Sequence, residues 1–190
     1  MPVWEKFTTV AEIAPETIEH YRELVPPLIV QAYTEHGTGF IGNGLLRLVD
    51  PAYASEHLRE IAHVGDHVVP ILTTAFGDVI YWVEPFFFLA SYRWGVVDIL
   101  AYKDDNFVQL VTKQDFINNV LSGKLYEQAV QRFGGAPDLN TCYAHVPLLG
   151  LGGREDVTML DPCDMWIHLQ LILQTCGYPR EVWREETRHD

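Results

Sequence analysis

The sequence is poor in cysteine and in positive charge, and it lacks a long apolar run. Its three cysteines, Cys142, Cys163 and Cys176, form no CxxC spacing, which suits reduced thiols better than a disulfide framework. No stretch approaches the roughly 18 apolar residues of a membrane-spanning helix. Residues 1–6 lack the basic segment and apolar run of a secretory signal. We therefore expect a cytoplasmic protein without a membrane segment.

Acidic residues outnumber basic ones by 26 to 13, giving a formal net charge of −13. The first 95 residues carry −7 and the rest carry −6, so the acidity belongs to the whole chain and not to a tail. Such a field repels nucleic acid and anionic lipid and speeds association with basic partners. We expect neither direct nucleic-acid binding nor membrane binding. The alternative, that the charge only maintains solubility, stays open at this point.

Proline and glycine mark the helices of the first half. Pro15 opens a pattern of apolar residues at helical spacing, and Pro27 opens a second helix that runs to about His36. Asp50, a capping residue followed by a proline, predicts a third helix. The spacing then changes to short β-branched and aromatic runs separated by turn residues, at 68–73, 79–83, 86–92 and 96–102. Such runs predict an antiparallel meander, and their poor alternation predicts cover on both faces.

Helical patterns return after the strands. Apolar faces near 116–120 and 126–133 predict two helices, and residues 142–151 predict a further strand and loop. Asp161, again followed by a proline, predicts the start of a helix that ends at Gly177, and a last polar helix is expected after Pro179. The order predicts an α+β fold with N-terminal helices, a central meander and C-terminal helices packed on the sheet. We divide it into two closely packed segments, a GAD-related α+β domain at 1–108 and a mainly helical immunity domain at 109–190, with a single structural unit as the alternative.

Residues 37–42 spell GTGFIG, a literal GxGxxG. A dinucleotide site needs this loop after a strand and before a helix, so that the helix N-terminus faces the pyrophosphate. Here the loop follows a predicted helix and leads into a predicted strand at 45–49. A helix-stopping turn is the better interpretation, and we predict no cofactor.

Catalytic chemistry finds little support in the sequence. No GxSxG, P-loop or HExxH motif occurs, so we predict no catalytic residue and no metal ligand. His63, Asp66 and His67 leave one competing hypothesis open, a metal-dependent hydrolase. Asp78 follows Gly77 between two strands, where turn chemistry is the simpler interpretation than a catalytic acid.

Several segments together resemble a known bacterial family. They occur in a fixed order along the chain: 33–40 (YTEHGTGF), 48–51 (LVDP), 74–82 (TAFGDVIYW), 142–143 (CY), 146–153 (VPLLGLGG) and 168–174 (HLQLILQ). This order is similar to a GAD-related domain followed by the C-terminal domain of type VI secretion immunity proteins of the Tdi type. Ala144 and His145 depart from the family pattern. This departure concerns the shape of a local loop more than the assignment to the family. The matched residues are mostly those that specify turns and packing, so they indicate fold better than a binding surface.

The resemblance implies an immunity protein that is not an enzyme. It would bind a cognate toxin, a nuclease such as a DNase effector, and cover its active site or DNA-binding surface. A general interaction adaptor or regulator of the same fold, with no toxin partner, is the alternative. Candidate partner-binding residues are two acidic pairs in predicted turns: Asp104, Asp105, Glu155 and Asp156. Neither the oligomeric state nor the contact surface follows from the sequence.

Overall fold

Ten strands and seven helices are found in the computed structural model, which describes residues 4–182, without the side chain of Asp105. The strands are β1 (Phe7–Ala11), β2 (Thr38–Ile41), β3 (Leu46–Leu48), β4 (Val69–Thr74), β5 (Val79–Val83), β6 (Phe86–Ser91), β7 (Val96–Tyr102), β8 (Thr141–His145), β9 (Leu160–Asp164) and β10 (Arg180–Glu181). The helices are α1 (Pro15–Tyr21), α2 (Pro27–His36), α3 (Pro51–Ala62), α4 (Lys103–Val111), α5 (Gln114–Asn119), α6 (Gly123–Phe133) and α7 (Met165–Cys176).

Eight of these strands form one sheet. From β1 to β7 each strand pairs antiparallel with the next in sequence, and β10 adds to β7 in parallel at the edge. The predicted α+β fold and its meander are confirmed, with β4 to β7 within one residue of the predicted runs. Strands β8 and β9 form a separate hairpin. Strand β1 was missed, because most of its side chains are exposed and give no apolar alternation.

Both faces of the sheet are covered, as the poor alternation predicted. In Phe86-Phe87-Phe88 the central ring packs into one apolar core and its two neighbours into the other, because successive strand residues point to opposite faces. Helices α1, α2, α4, α5 and α6 contribute to the first core, and α3 and α7 contribute to the second. Each core therefore contains helices from both halves of the chain.

The structure corrects three local predictions. Asp161 lies in β9 and not at a helix start, because residues 160–164 pair with β8; Asp164 caps α7 through Ile167 N at 2.9 Å. Residues 180–181 after Pro179 form β10 instead of a polar helix, and residues 183–190 lie outside the described part of the chain. The predicted turn at 104–105 is the first turn of α4. Residue 108, where we divided the chain into two segments, lies within α4. The division itself stays a prediction.

No helix within residues 4–182 is long and apolar enough to cross a membrane.

Arg47 joins the two halves of the chain. Its side chain on β3 is fully buried, and its guanidinium donates to the carbonyl oxygens of Thr74, Asp138 (2.8 Å) and Thr141. Burial lowers the pKa of Arg47 to about 10, so the group keeps its charge at neutral pH. A buried cation is tolerated here because it replaces its hydration shell with carbonyl oxygens from the end of β4, from the start of β8 and from the segment before β8.

Replacing this guanidinium should therefore destabilise the whole chain. We expect Arg47→Met, which keeps an unbranched apolar stem but removes the guanidinium, to lower the free energy of unfolding by about 2–4 kcal/mol, since buried carbonyls lose their donors. Urea unfolding followed by circular dichroism measures this change. Arg59→Met, at an exposed ion pair with Asp66, is the control and should cost under about 1 kcal/mol. Equal losses in the two variants would contradict the role given to Arg47.

Candidate interaction surface

Asp104 is half-buried beside a small groove on the surface. The groove has a volume of about 260 Å³ and lies between the α1–α2 connection, the β5–β6 turn and the first turn of α4. Glu23, Glu84 and Asp104 each belong to a different one of these three segments, and we call the buried apolar lining residues Val25 and Trp82 the floor. We call this site the acidic groove; its lining residues are Glu23, Leu24, Val25, Pro26, Pro27, Trp82, Glu84, Pro85, Lys103 and Asp104.

Two contacts hold α4 beside the β5–β6 turn and the sheet. Lys103 has a φ of +59°, a left-handed conformation that non-glycine residues rarely adopt. Its amide donates to Pro85 O at 3.2 Å, which holds the start of α4 against the β5–β6 turn. The rings of Phe87 and Phe107 stack with centroids 3.9 Å apart and fix the middle of α4 to the sheet. Residues held in strained conformations occur often at binding sites.

The chemistry of the acidic groove favours a basic side chain as its ligand. The floor residues Val25 and Trp82 are buried, and Leu24 is 46% exposed on the wall. Lys103 is the one base in this lining, and its Nζ lies 5.0 Å from the centre of the Tyr102 ring. A lysine or arginine from a partner can place its aliphatic stem on the apolar floor and its charge among carboxylates. The structure describes the backbone of Asp105 in α4 but not its side chain.

The second candidate pair, Glu155 and Asp156, is engaged within the protein. Glu155 accepts from Ser122 Oγ and from Arg93 Nη1, the latter at 3.2 Å. Asp156 accepts from the amide and hydroxyl of Thr158 at 2.8 and 2.6 Å, and these bonds lower its pKa. Both carboxylates thus have intramolecular partners, although both residues are exposed.

Arg93 connects this loop to a buried carboxylate that the sequence interpretation assigned to a turn. Arg93 Nε donates to Asp78 Oδ2 at 2.9 Å, and both side chains are essentially inaccessible to solvent. Burial raises the pKa of Asp78, and the charge of Arg93 opposes that increase. Asp78 lies in the connection between β4 and β5, as predicted, and its buried carboxylate forms an ion pair with Arg93. The sequence feature that could have indicated this ion pair is Arg93, a single arginine within an apolar strand region.

The glycine-rich motif ends a helix, as predicted. Gly37 has a φ of +66° and donates its amide to Tyr33 O at 3.1 Å, and β2 begins at the next residue. At Gly39 a Cβ would lie 2.1 Å from Thr8 O, so only glycine permits β1 and β2 to approach this closely. The strand-before-helix order of a dinucleotide site is absent from this motif.

A larger cavity of about 650 Å³ lies next to this motif, between the β2–β3 turn and helices α4 to α6. Its apolar lining includes Leu45, Leu46 and Val111, while its charged residues are of mixed sign. None of the buried polar atoms that lack a partner in the described chain belongs to this lining. The acidic groove, with three acids and one base in its lining, is the stronger candidate for a basic partner despite its smaller volume.

The residues of the metal hypothesis do not assemble into a site. Asp66 pairs with Arg59 at 3.1 Å, and His63 ends α3 in a left-handed conformation. Within residues 4–182, no group of three or more His, Cys, Asp or Glu residues could hold a metal ion.

Two other histidines, His145 and His168, are buried in the protein interior. Burial lowers the pKa of each from 6.5 to about 4, and in His145 the nearby Arg93 adds to the effect. Neither ring nitrogen of His145 has a hydrogen-bond partner in the described chain. Both side chains are therefore neutral packing groups at physiological pH.

These histidines should make stability depend on pH. The unfolded chain binds protons near pH 6.5 while the folded chain binds them only near pH 4, so stability is complete above pH 6.5 and falls as the pH approaches 4. We expect the melting temperature of the His145→Gln variant to fall less between pH 7 and pH 5 than that of the unmodified chain. Differential scanning fluorimetry measures this, with exposed His20→Gln as the control. Parallel losses in all three proteins would refute the assignment.

Comparisons with known proteins agree with the predicted order of the two domains. Residues 3–91 match the model of the GAD-like domain, and residues 101–175 match that of the T6SS immunity protein Tdi1, C-terminal. Among solved structures, the crystal structure of Atu4351 from Agrobacterium tumefaciens is similar, with a TM-score of 0.66 and 14% identity over 90% of this chain and 87% of that one. At this identity the likeness concerns the fold. No curated protein matches.

Proposed function

We propose that the chain binds and neutralises a cognate toxin that is a DNase effector. Its residues match the model of the GAD-like domain and, after it, that of the C-terminal domain of the type VI secretion immunity protein Tdi1. The match of both domains, in this order, is the observation that carries the proposal. Inhibition by binding needs no catalytic group. The proposal therefore gives no catalytic role to Asp78, whose buried carboxylate is bound to Arg93.

The distribution of charge supports a nuclease as the toxin. A DNase presents basic residues to attract phosphate, and a partner with a net charge of −13 is attracted by the same field. Two of the chain's bases, Arg47 and Arg93, are buried, the latter in an ion pair with the buried Asp78, so neither is a basic group on the surface. The protein would cover the active site or the DNA-binding surface of the toxin.

We propose the acidic groove as a contact with that toxin, through Asp104 at the start of α4 together with Glu23 and Glu84. These three acids line the groove from three separate segments, which suits a lysine or arginine from a nuclease surface. Glu155 and Asp156 are weaker contacts in this proposal, since their carboxylates already accept hydrogen bonds within the chain.

Charge reversal in the groove tests this assignment. We expect Glu23→Lys, Glu84→Lys and Asp104→Lys together to slow association with the purified neighbouring-gene nuclease about tenfold or more at low salt, because steering charges act mainly on the association rate. Surface plasmon resonance across a salt series measures the rate. The control reverses three exposed acids of α1 and α3, Glu16, Glu56 and Glu60, and changes the net charge equally.

Each outcome of this comparison has a defined meaning. A slower rate in the groove variant alone supports the groove as the contact. Equal slowing in both variants would assign the effect to net charge and contradict the groove. An association rate indifferent to salt would contradict the electrostatic part of the proposal. No binding of the nuclease by the unmodified chain would favour the adaptor alternative.

Inhibition without catalysis also predicts a stoichiometry. We expect DNase activity to fall linearly with added immunity protein and to vanish near molar equivalence, when the toxin concentration is well above the dissociation constant. A plasmid-cleavage assay with increasing amounts of the protein measures this. Complete inactivation at a small fraction of molar equivalence would indicate an enzyme and would contradict the proposal.

A further inference from the structure

Two cysteines face each other across the β8–β9 hairpin. Cys142 on β8 and Cys163 on β9 are directly opposite in the strand register, and their Sγ atoms lie 4.0 Å apart. Opposite residues of an antiparallel pair project from the same face, at a Cα separation of about 4.5–5.5 Å. A disulfide forms at Cα separations of about 4.4–6.8 Å, so the backbone already has the spacing that a disulfide needs.

Backbone hydrogen bonds keep both strands of this hairpin in position. The amide of Tyr143 donates to Ala75 O at 2.8 Å, which fixes β8 to the β4–β5 connection. The amide of Met165 donates to Asn140 O at 2.8 Å, which fixes the end of β9 and the start of α7 to β8. The two thiols are therefore held opposite each other by their strands and not by their own contact.

The two thiols differ in their access to solvent. Cys142 is buried in the second core, whereas Cys163 is partly exposed and packs against that core. The hydrogen bond between the two sulfur atoms lowers the pKa of Cys163, and the same bond together with burial raises the pKa of Cys142. The proton thus stays on the buried sulfur, and the accessible sulfur is the nucleophile.

We propose that Cys142 and Cys163 form a redox site, which hydrogen peroxide converts to a reversible disulfide within the chain. The Cys163 thiolate attacks one peroxide oxygen, the O–O bond breaks, and the leaving oxygen takes a proton to become water. The Cys142 sulfur then attacks the sulfenic acid on Cys163, the S–O bond breaks, and a second water leaves with the Cys142 proton. In all, two thiols lose two electrons and two protons, and the peroxide becomes two water molecules. A dithiol restores both thiols by exchange.

The disulfide would join two residues that are 21 positions apart in the chain. The segment between them contains Glu155, which accepts from Arg93, and it ends one residue before Asp164, the cap of α7. A bond of this kind restricts the unfolded chain more than the folded one, in which the two strands are already paired. We therefore expect oxidation to raise the melting temperature by about 4–10 °C.

Peptide mapping of the full chain tests the site. Trypsin cleaves after arginine and lysine, so it places Cys142 in peptide 133–154 but both Cys163 and Cys176 in peptide 155–180. In the Cys176→Ser variant, a link between these two peptides identifies the proposed bond. After brief treatment with hydrogen peroxide and alkylation of the remaining thiols, we expect mass spectrometry to detect the linked peptides. Dithiothreitol should separate them, and scanning fluorimetry of the same samples measures the change in melting temperature.

Two further variants, made in the Cys176→Ser background, assign a role to each sulfur atom. Cys142→Ala leaves Cys163 as the one thiol of the chain, and we expect dimedone to trap it as a sulfenic acid. Cys163→Ser leaves the buried Cys142, which we expect dimedone to label at least about tenfold more slowly. Both variants should lose the linked peptides and the increase in melting temperature on oxidation.

Four results would overturn the inference. They are the absence of linked peptides in the Cys176→Ser variant, a bond that a non-reducing gel shows only between two copies of the chain, faster trapping of Cys142 than of Cys163, and an oxidised chain whose melting temperature is unchanged or lower. Because no toxin is present in these experiments, their outcome is independent of the proposed immunity function.

Discussion

The central sheet has two apolar faces, and the need to cover both organises the rest of the molecule. Strand residues alternate between the two cores, so a helix layer on one face alone would leave large aromatic rings in water. Elements from both halves of the chain are placed on both faces. Helix α7 and strand β8 cover the second face from the later half of the chain, and Arg47 binds this half to β3 from inside.

Charge inside the protein and charge on its surface have separate roles. Arg47, Arg93 and Asp78 are buried, where they hold distant segments together through carbonyl oxygens and one ion pair. The surface keeps its acidity, and the acidic groove beside α4 collects three of its acidic residues from separate segments of the chain.

Elements with strong local signals could be predicted from the sequence. The strands β4 to β7 and the helices α2 and α3 agree closely because proline, glycine and capping residues act within a few positions of themselves. The helix α4 was missed since its acidic start suggested a turn. Strand β9 was read as a helix start, because an Asp-Pro pair has the same local preference whether or not another strand is there to pair with it.

By itself the sequence determined the α+β order, the acidic character and the family resemblance, all of which depend on residue type and local spacing. Only the tertiary structure decided which acids are available. Asp104 meets Glu23 and Glu84 from distant segments, whereas Glu155 is drawn to Arg93 and Asp156 to Thr158. The physical reason is that a carboxylate's role depends on which donors and charges lie within a few ångströms, and folding sets those distances between residues far apart in sequence.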